Sequence, residues 1–172
     1  MKKLLLFLLS PLFAGCLGHP VGVQPVSDFQ LQPYLGKWYE IARLDHSFER
    51  AMINVTAEYS LRADGGVEVK NRGYSTKNDK WKEAVGKAYF VGDESTGHLK
   101  VSFFGPFYGS YVVFDYDPEE YAFVCGPDTS YLWLLSRSPR VPDRLKHSFL
   151  EQAEKYGFDS SQLIWVDQSG NE

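Results

Sequence analysis

The chain of 172 residues has no dense run of lysine or arginine, and its 18 basic residues are outnumbered by 22 acidic ones, for a formal net charge of −4. A nucleic-acid binder needs a cationic footprint that displaces counterions from phosphates, so nucleic acid is excluded as a partner. Cysteine is scarce, with Cys16 and Cys125 the only two. The four histidines, His19, His46, His98 and His147, are scattered, and no His/Cys group has metal-ligand spacing. No metal and no cofactor are therefore expected. Long apolar runs are missing too. The apolar stretch at the start covers residues 4–9 and extends loosely to Phe13, well short of the ~20 residues that a transmembrane helix takes.

That short stretch has another meaning. Lys2 and Lys3 precede it, and Ala14, Gly15 and Cys16 close it, the layout of an export signal over residues 1–15. Its end resembles a bacterial lipobox, in which the cysteine is acylated and becomes the first residue. The resemblance implies lipidation of Cys16, and Leu17 in place of an aspartate implies the outer membrane, facing the periplasm. Residues 16–27, with Gly18, Pro20, Gly22 and Pro25, are expected to form a flexible lipidated tether. Removal of the signal leaves Cys125 as the one cysteine besides the anchor, so no internal disulfide can form although the compartment is oxidising.

Aromatic residues make up 16% of the chain, as in β-rich folds. A short helical turn over residues 28–35, with Asp28 as its cap, precedes eight alternating segments: 37–45, 54–61, 67–74, 81–91, 98–104, 109–116, 120–125 and 130–137. Short turns join them, which favours a meander in which each strand pairs with the next. Eight antiparallel strands remove both exposed edges by closing into an up-and-down barrel, with room for a small ligand. One amphipathic helix follows. Pro142 sits near its start and Asp143 is its expected cap, Leu145, Phe149, Ala153 and Tyr156 form its apolar face, and Gly157 stops it with Phe158 folding back. It is expected outside the barrel, with a last strand over 163–166 beside the first. The fold class is all-β, with the globular domain over residues 28–172.

Strand parity places the start of the first strand and the end of the eighth at one end of the barrel. Trp38 and Arg137 are expected to meet there, a guanidinium on an indole face. Gly36-x-Trp38, the turn at Asp115-Tyr116-Asp117, and Arg137 resemble, in order, the three signature regions of the lipocalins. The stretches Trp38-Tyr39-Glu40-Ile41-Ala42-Arg43, Gly86-Lys87-Ala88-Tyr89-Phe90 and Tyr131-Leu132-Trp133 are similar to the bacterial outer-membrane lipoprotein branch, related to apolipoprotein D. The resemblance implies a closed end held by Gly36, Trp38 and Arg137. Where the family has Thr-Asp-Tyr this chain has Phe114-Asp115-Tyr116-Asp117, which leaves Asp115 and Asp117 as alternatives for the aspartate.

Parity also gives the pocket lining: Tyr59, Val69, Asn71, Ala88, Phe90, Leu99, Val101, Phe103, Tyr111, Val113, Tyr131, Trp133 and Leu135. Trp38, Glu40, Ala42 and Leu44 share the inward face of the first strand. The resemblance implies a fatty acid, phospholipid or lysophospholipid as ligand, stored or transported at the membrane to which the acyl chains hold the protein. Phe48, Met52, Phe104, Phe107 and Tyr108 crowd the loops of the open end, which suits lipid entry, contact with a membrane, or contact with a second copy in a homodimer. Two other functions are weighed. Cys125 with His46 would make a thiol-dependent enzyme, and a structural envelope protein would have a filled barrel. The lipid-binding protein is the expectation, with no catalytic residues.

Overall fold

The computed structural model describes residues 17–171. Its strands are β1 (Gly36–Arg43), β2 (Met52–Leu61), β3 (Val67–Ser75), β4 (Lys80–Phe90), β5 (His98–Phe104), β6 (Phe107–Asp117), β7 (Tyr121–Cys125), β8 (Leu132–Ser136) and β9 (Ile164–Trp165). All pairings are antiparallel between neighbours, and β1 pairs with both β2 and β8, which closes the barrel. The lower half of β1 pairs with β2 through Gly36↔Tyr59 to Tyr39↔Thr56, and its upper half takes β9 instead, through Ala42↔Trp165. Where β1 and β2 part, the C-terminal tail fills the gap. The buried Gln168 donates from Nε2 to the Glu40 and Val55 carbonyls, at 2.7 and 2.8 Å.

The side chains fall into two apolar layers. The inner one holds Trp38, Ala57, Tyr59, Val67, Val69, Ala88, Leu99, Val113, Ala122, Val124 and Leu135. The outer one lies between the sheet and helix α2 (Asp143–Lys155), where Leu145, Phe149 and Ala153 cover Phe123, Cys125, Leu132 and Leu134. Alternation along β7 and β8 feeds both layers, since successive side chains leave opposite faces. Pro142 is the residue before the helix, and Asp143 is its first residue instead of its side-chain cap. There it favours the positive end of the helix dipole and pairs with Lys146. Gly157, at φ +78°, ends the helix, and the buried Phe158 folds back with its N–H on the Ala153 carbonyl, 2.9 Å.

Three expectations change. The expected parity of β1 fails beyond Glu40, because the pairing with β8 shifts register between Glu40 and Ala42. The bulge adds a residue, so Ile41, Ala42 and Leu44 all lie in the outer layer. The short helix α1 is Leu31–Tyr34, without a side-chain cap, so Asp28 does not cap it. Its flanking Phe29 and its Tyr34 plug the closed end. Residues 17–27 lie against the barrel instead of extending as a flexible tether. Val23 is fully buried in the outer layer, the Val26 N–H donates to the Val113 carbonyl, and the Gly97 N–H donates to that of Val26. Apolar seats for two valines outweigh the flexibility that glycine and proline content suggested. Cys16 lies outside the described residues.

Candidate ligand-binding interior

The closed end is held by one side chain. The Arg137 guanidinium carbon sits 3.7 Å from the centre of the Trp38 ring. Its nitrogens donate to four carbonyls: Pro118 at 2.9 Å, Lys37 at 2.8 Å, Pro33 at 2.6 Å and Leu35 at 3.0 Å. Arg137 thus ties α1, the start of β1 and the β6–β7 turn together. Gly36, at φ +93°, lets the chain swing from α1 into β1, and a Cβ there would lie 3.7 Å from Arg137 Nη1. The two candidate aspartates divide the work at this end. Asp117 accepts the Glu119 N–H and shapes the turn that presents Pro118. Asp115 accepts from Tyr121 and from Gln152 of α2, so it fastens the helix.

Above this floor the interior fills with phenols. Tyr111 Oη lies 2.6 Å from Tyr34 Oη and 2.8 Å from Tyr59 Oη. Burial raises the pKa of all three, so the row is neutral. A void of about 20 Å³ remains among Phe29, Leu31, Tyr34, Tyr59, Val69 and Tyr111, room for about one water. A wider groove of about 170 Å³ lies outside, among Lys37, Glu58, Lys70, Arg72 and Glu83, whose charges suit water instead of an acyl chain.

Of the expected lining, Tyr59, Val69, Ala88, Leu99, Val113 and Leu135 are buried in the inner layer. Phe90, Val101, Phe103, Tyr111 and Trp133 are half-buried against it. Asn71 is half-buried and pairs with Ala57 of the inner layer and with Ala84. Tyr131 precedes β8 at the mouth, where its ring stacks on His46 at 4.0 Å. Gly86 makes room for Phe103, since a Cβ there would come within 2.8 Å of that ring.

The upper interior also holds a polar cluster. Arg43 is 1% exposed and pairs across the sheet with Trp133. It donates from Nη1 to Glu40 Oε1 at 2.7 Å and from Nη2 to the Glu49 and Met52 carbonyls, at 2.9 and 3.1 Å. Its Nε lies 3.6 Å from Glu49 Oε2 and has no hydrogen-bond acceptor. Trp133 Nε1 donates to that same Oε2, 3.3 Å. Two carboxyls share one guanidinium in a buried site. Burial, then repulsion from Glu40, holds Glu49 well above the usual carboxylate range, and burial raises Glu40 against the pull of Arg43. Arg43 contacts Glu40 directly, so of the two carboxyls Glu49 is the one pushed further toward its neutral form. Parity had placed Glu40 on the inward face of β1, where a carboxylate needs a partner. Arg43 was hidden because residues three apart on a regular strand face opposite ways, and only the bulge brings them to one side.

Cys125 faces away from this interior, fully buried under α2. Burial pushes its thiol up to about 12. His46 Nε2 instead donates to the Ser130 carbonyl, 2.8 Å. The thiol and imidazole of the enzyme reading therefore belong to different layers.

The family model described as a lipocalin-like domain matches residues 29–168. Outer membrane lipoprotein Blc of Vibrio cholerae is 60% identical over 170 residues, covering 98% of this chain and 99% of that protein. Apolipoprotein D of Bos taurus is 33% identical over 156 residues, covering 78% of this chain and 80% of that protein. Among solved structures, insecticyanin from the tobacco hornworm Manduca sexta superimposes with a TM-score of 0.70 at 23% identity, covering 87% of this chain and 86% of that one. The chain belongs to the lipocalin-like family, in its branch of bacterial outer-membrane lipoproteins.

Proposed function

We propose that this protein binds an amphipathic lipid, a fatty acid, phospholipid or lysophospholipid, and stores or carries it at the bacterial outer membrane. The signal over residues 1–15 is removed, Cys16 carries the acyl anchor, and the barrel faces the periplasm. Two or more acyl chains are needed for lasting anchorage, which lipobox processing supplies. Relatives named outer membrane lipoproteins support this setting.

The observation that carries the reading is an interior with two characters. One wall is apolar, through Phe90, Val101 and Phe103. The other presents a buried cluster with an N–H that lacks an acceptor. A buried donor left unpaired costs about 1–3 kcal/mol, which an oxygen of a ligand head group would recover. The acyl chain lies above the phenol row, which fills the floor, and the head lies toward the mouth near Arg43 and Trp133. The purely structural reading is favoured by that filled floor and by the small volume, about 20 Å³, of the void beside it.

Native mass spectrometry of the protein, extracted and purified without added lipid, tests the reading. A retained mass in the range of one fatty acid or lysophospholipid per chain is expected. A bare chain that takes up neither on titration would sink it. The same spectra give the copy number, one or two, that the open-end aromatics leave to experiment.

A further inference from the structure

The outer wall of β4–β6 carries a surface that the interior does not use. Phe104 and Phe107 pair at the tip of the β5–β6 hairpin, separated by Gly105 and Pro106. They are 81% and 73% exposed. Below them the outward face is aromatic and basic. Lys100 lies 5.2 Å from the Tyr108 ring, which is 6.4 Å from that of Tyr89. Lys87, opposite Ser102, shares this face. The outward positions from Lys87 to Tyr89 on β4, and on β5 and on β6 from Tyr108 to Val112, hold no carboxylate; Asp64, which accepts from Tyr89 Oη at 2.9 Å, is paired with Arg62 at the edge of this face. Among the described residues neither Lys87 nor Lys100 has an ion-pair partner.

The chain start reaches the same wall. Residues 20–26 are seated along the barrel, with the Val26 N–H on the Val113 carbonyl. Before them, the His19 ring lies 5.7 Å from that of His98, whose Nε2 is 3.3 Å from Ser110 Oγ on β6. Ser110 is three residues from Phe107, roughly 10 Å along the strand. The described chain therefore begins, at Leu17, on the wall that ends in the two phenylalanines, with its backbone on His98.

We propose that this wall is a docking surface for the lipid bilayer, lying along the head groups with Phe104 and Phe107 inserted. The proposal rests on lipidation of Cys16. Aromatic rings settle at the head-group level, and lysines are drawn to anionic lipid. A second copy of the chain fits less well, because a two-fold contact places the patch against itself and would gather the lysines of both copies on a face whose strands carry no carboxylate to pair with them. Docked in this way, the hairpin brings the rim of the barrel mouth to the membrane surface, so a lipid can pass between bilayer and interior without crossing open water.

The test uses the full lipidated protein in vesicles of phosphatidylethanolamine and phosphatidylglycerol. A polarity-sensitive dye is placed through Phe107→Cys or Phe104→Cys, with Glu151→Cys on the exposed face of α2 as reference. Cys125 is buried, so the introduced thiol takes the dye. Flotation with the vesicles, a blue-shifted hairpin dye quenched several-fold more by doxyl lipid than by iodide, and the reverse preference at residue 151 are expected. Protein that floats while the hairpin dye stays open to iodide overturns the docking and leaves the anchor standing. Protein that does not float overturns the anchor and the docking with it. A hairpin dye shielded without vesicles, in a concentration-dependent manner, overturns the docking in favour of a second copy.

Discussion

Replacing Arg137 with alanine should weaken the fold without emptying the barrel. The substitution removes four hydrogen bonds to carbonyls of three segments and the contact with the Trp38 ring. At about 1 kcal/mol net for each hydrogen bond and about 1 kcal/mol for a half-exposed cation–π contact, the sum is about 5 kcal/mol. These contacts share one guanidinium and are not additive, so a loss of about 3–4 kcal/mol is the expected outcome. For a chain of this size that is a fall of about 10 °C in Tm. Urea and thermal unfolding followed by circular dichroism read it directly. Arg137→Lys keeps the charge but not the planar fork, and should recover less than half. Lipid titration of the folded variant should match the parent, because Arg137 lies at the closed end, below the phenol row. A loss below about 1 kcal/mol, or unchanged stability with lost binding, would refute this division between floor and interior.

Other perturbations probe the layers in turn. The pKa of Glu49 is raised in the folded state by burial and by Glu40. Its contribution to stability is complete below the ordinary glutamate range and is lost as pH rises through the raised value. Unfolding midpoints in urea at about pH 5 and about pH 8 should therefore fall with pH in the parent and stay nearer constant in Glu49→Gln; parallel profiles would contradict the protonated, buried Glu49. The Cys125 thiol, raised to about 12 by burial, should react with an aromatic disulfide reagent only as fast as the protein opens. A rapid burst at neutral pH would revive the thiol-enzyme reading. Phe149→Ala empties a fully buried site against Phe123, whose ring centre is 5.0 Å away. A cost of about 3–5 kcal/mol in urea unfolding is expected, with lipid binding unchanged, since α2 packs on the outside.

The strands were legible because alternation and turn residues mark them independently of one another. β5 runs over His98–Phe104 as read from Leu99, Val101 and Phe103 alternating with Lys100 and Ser102, and the others differ by a few residues at their ends. Much of the inner layer followed from the same parity. The reading gave way where one residue changes a face. The bulge at Ile41 turns Ala42 and Leu44 outward and brings Arg43 to Glu40. No local composition signals it, because the register of β1 is set by β8, about ninety residues away. The tail is a second case. Gln168 reads as a polar terminal residue, yet it bonds two carbonyls where β1 and β2 separate. The third is residues 17–27, whose glycines and prolines speak of flexibility while Val23 and Val26 find seats that exist only once the barrel has formed.

The most direct test of a lipid inside the barrel uses Trp133, half-buried beside Arg43 and donating to Glu49. Fatty acid or lysophospholipid carrying a doxyl group on the acyl chain is titrated into the delipidated protein while tryptophan fluorescence is followed. A saturable quench with one lipid per barrel is predicted, and Trp133→Phe should remove most of it while equilibrium dialysis at saturating lipid still shows one lipid per barrel. Quenching that never saturates, or that is the same in Trp133→Phe, would place the lipid outside the barrel and contradict the account.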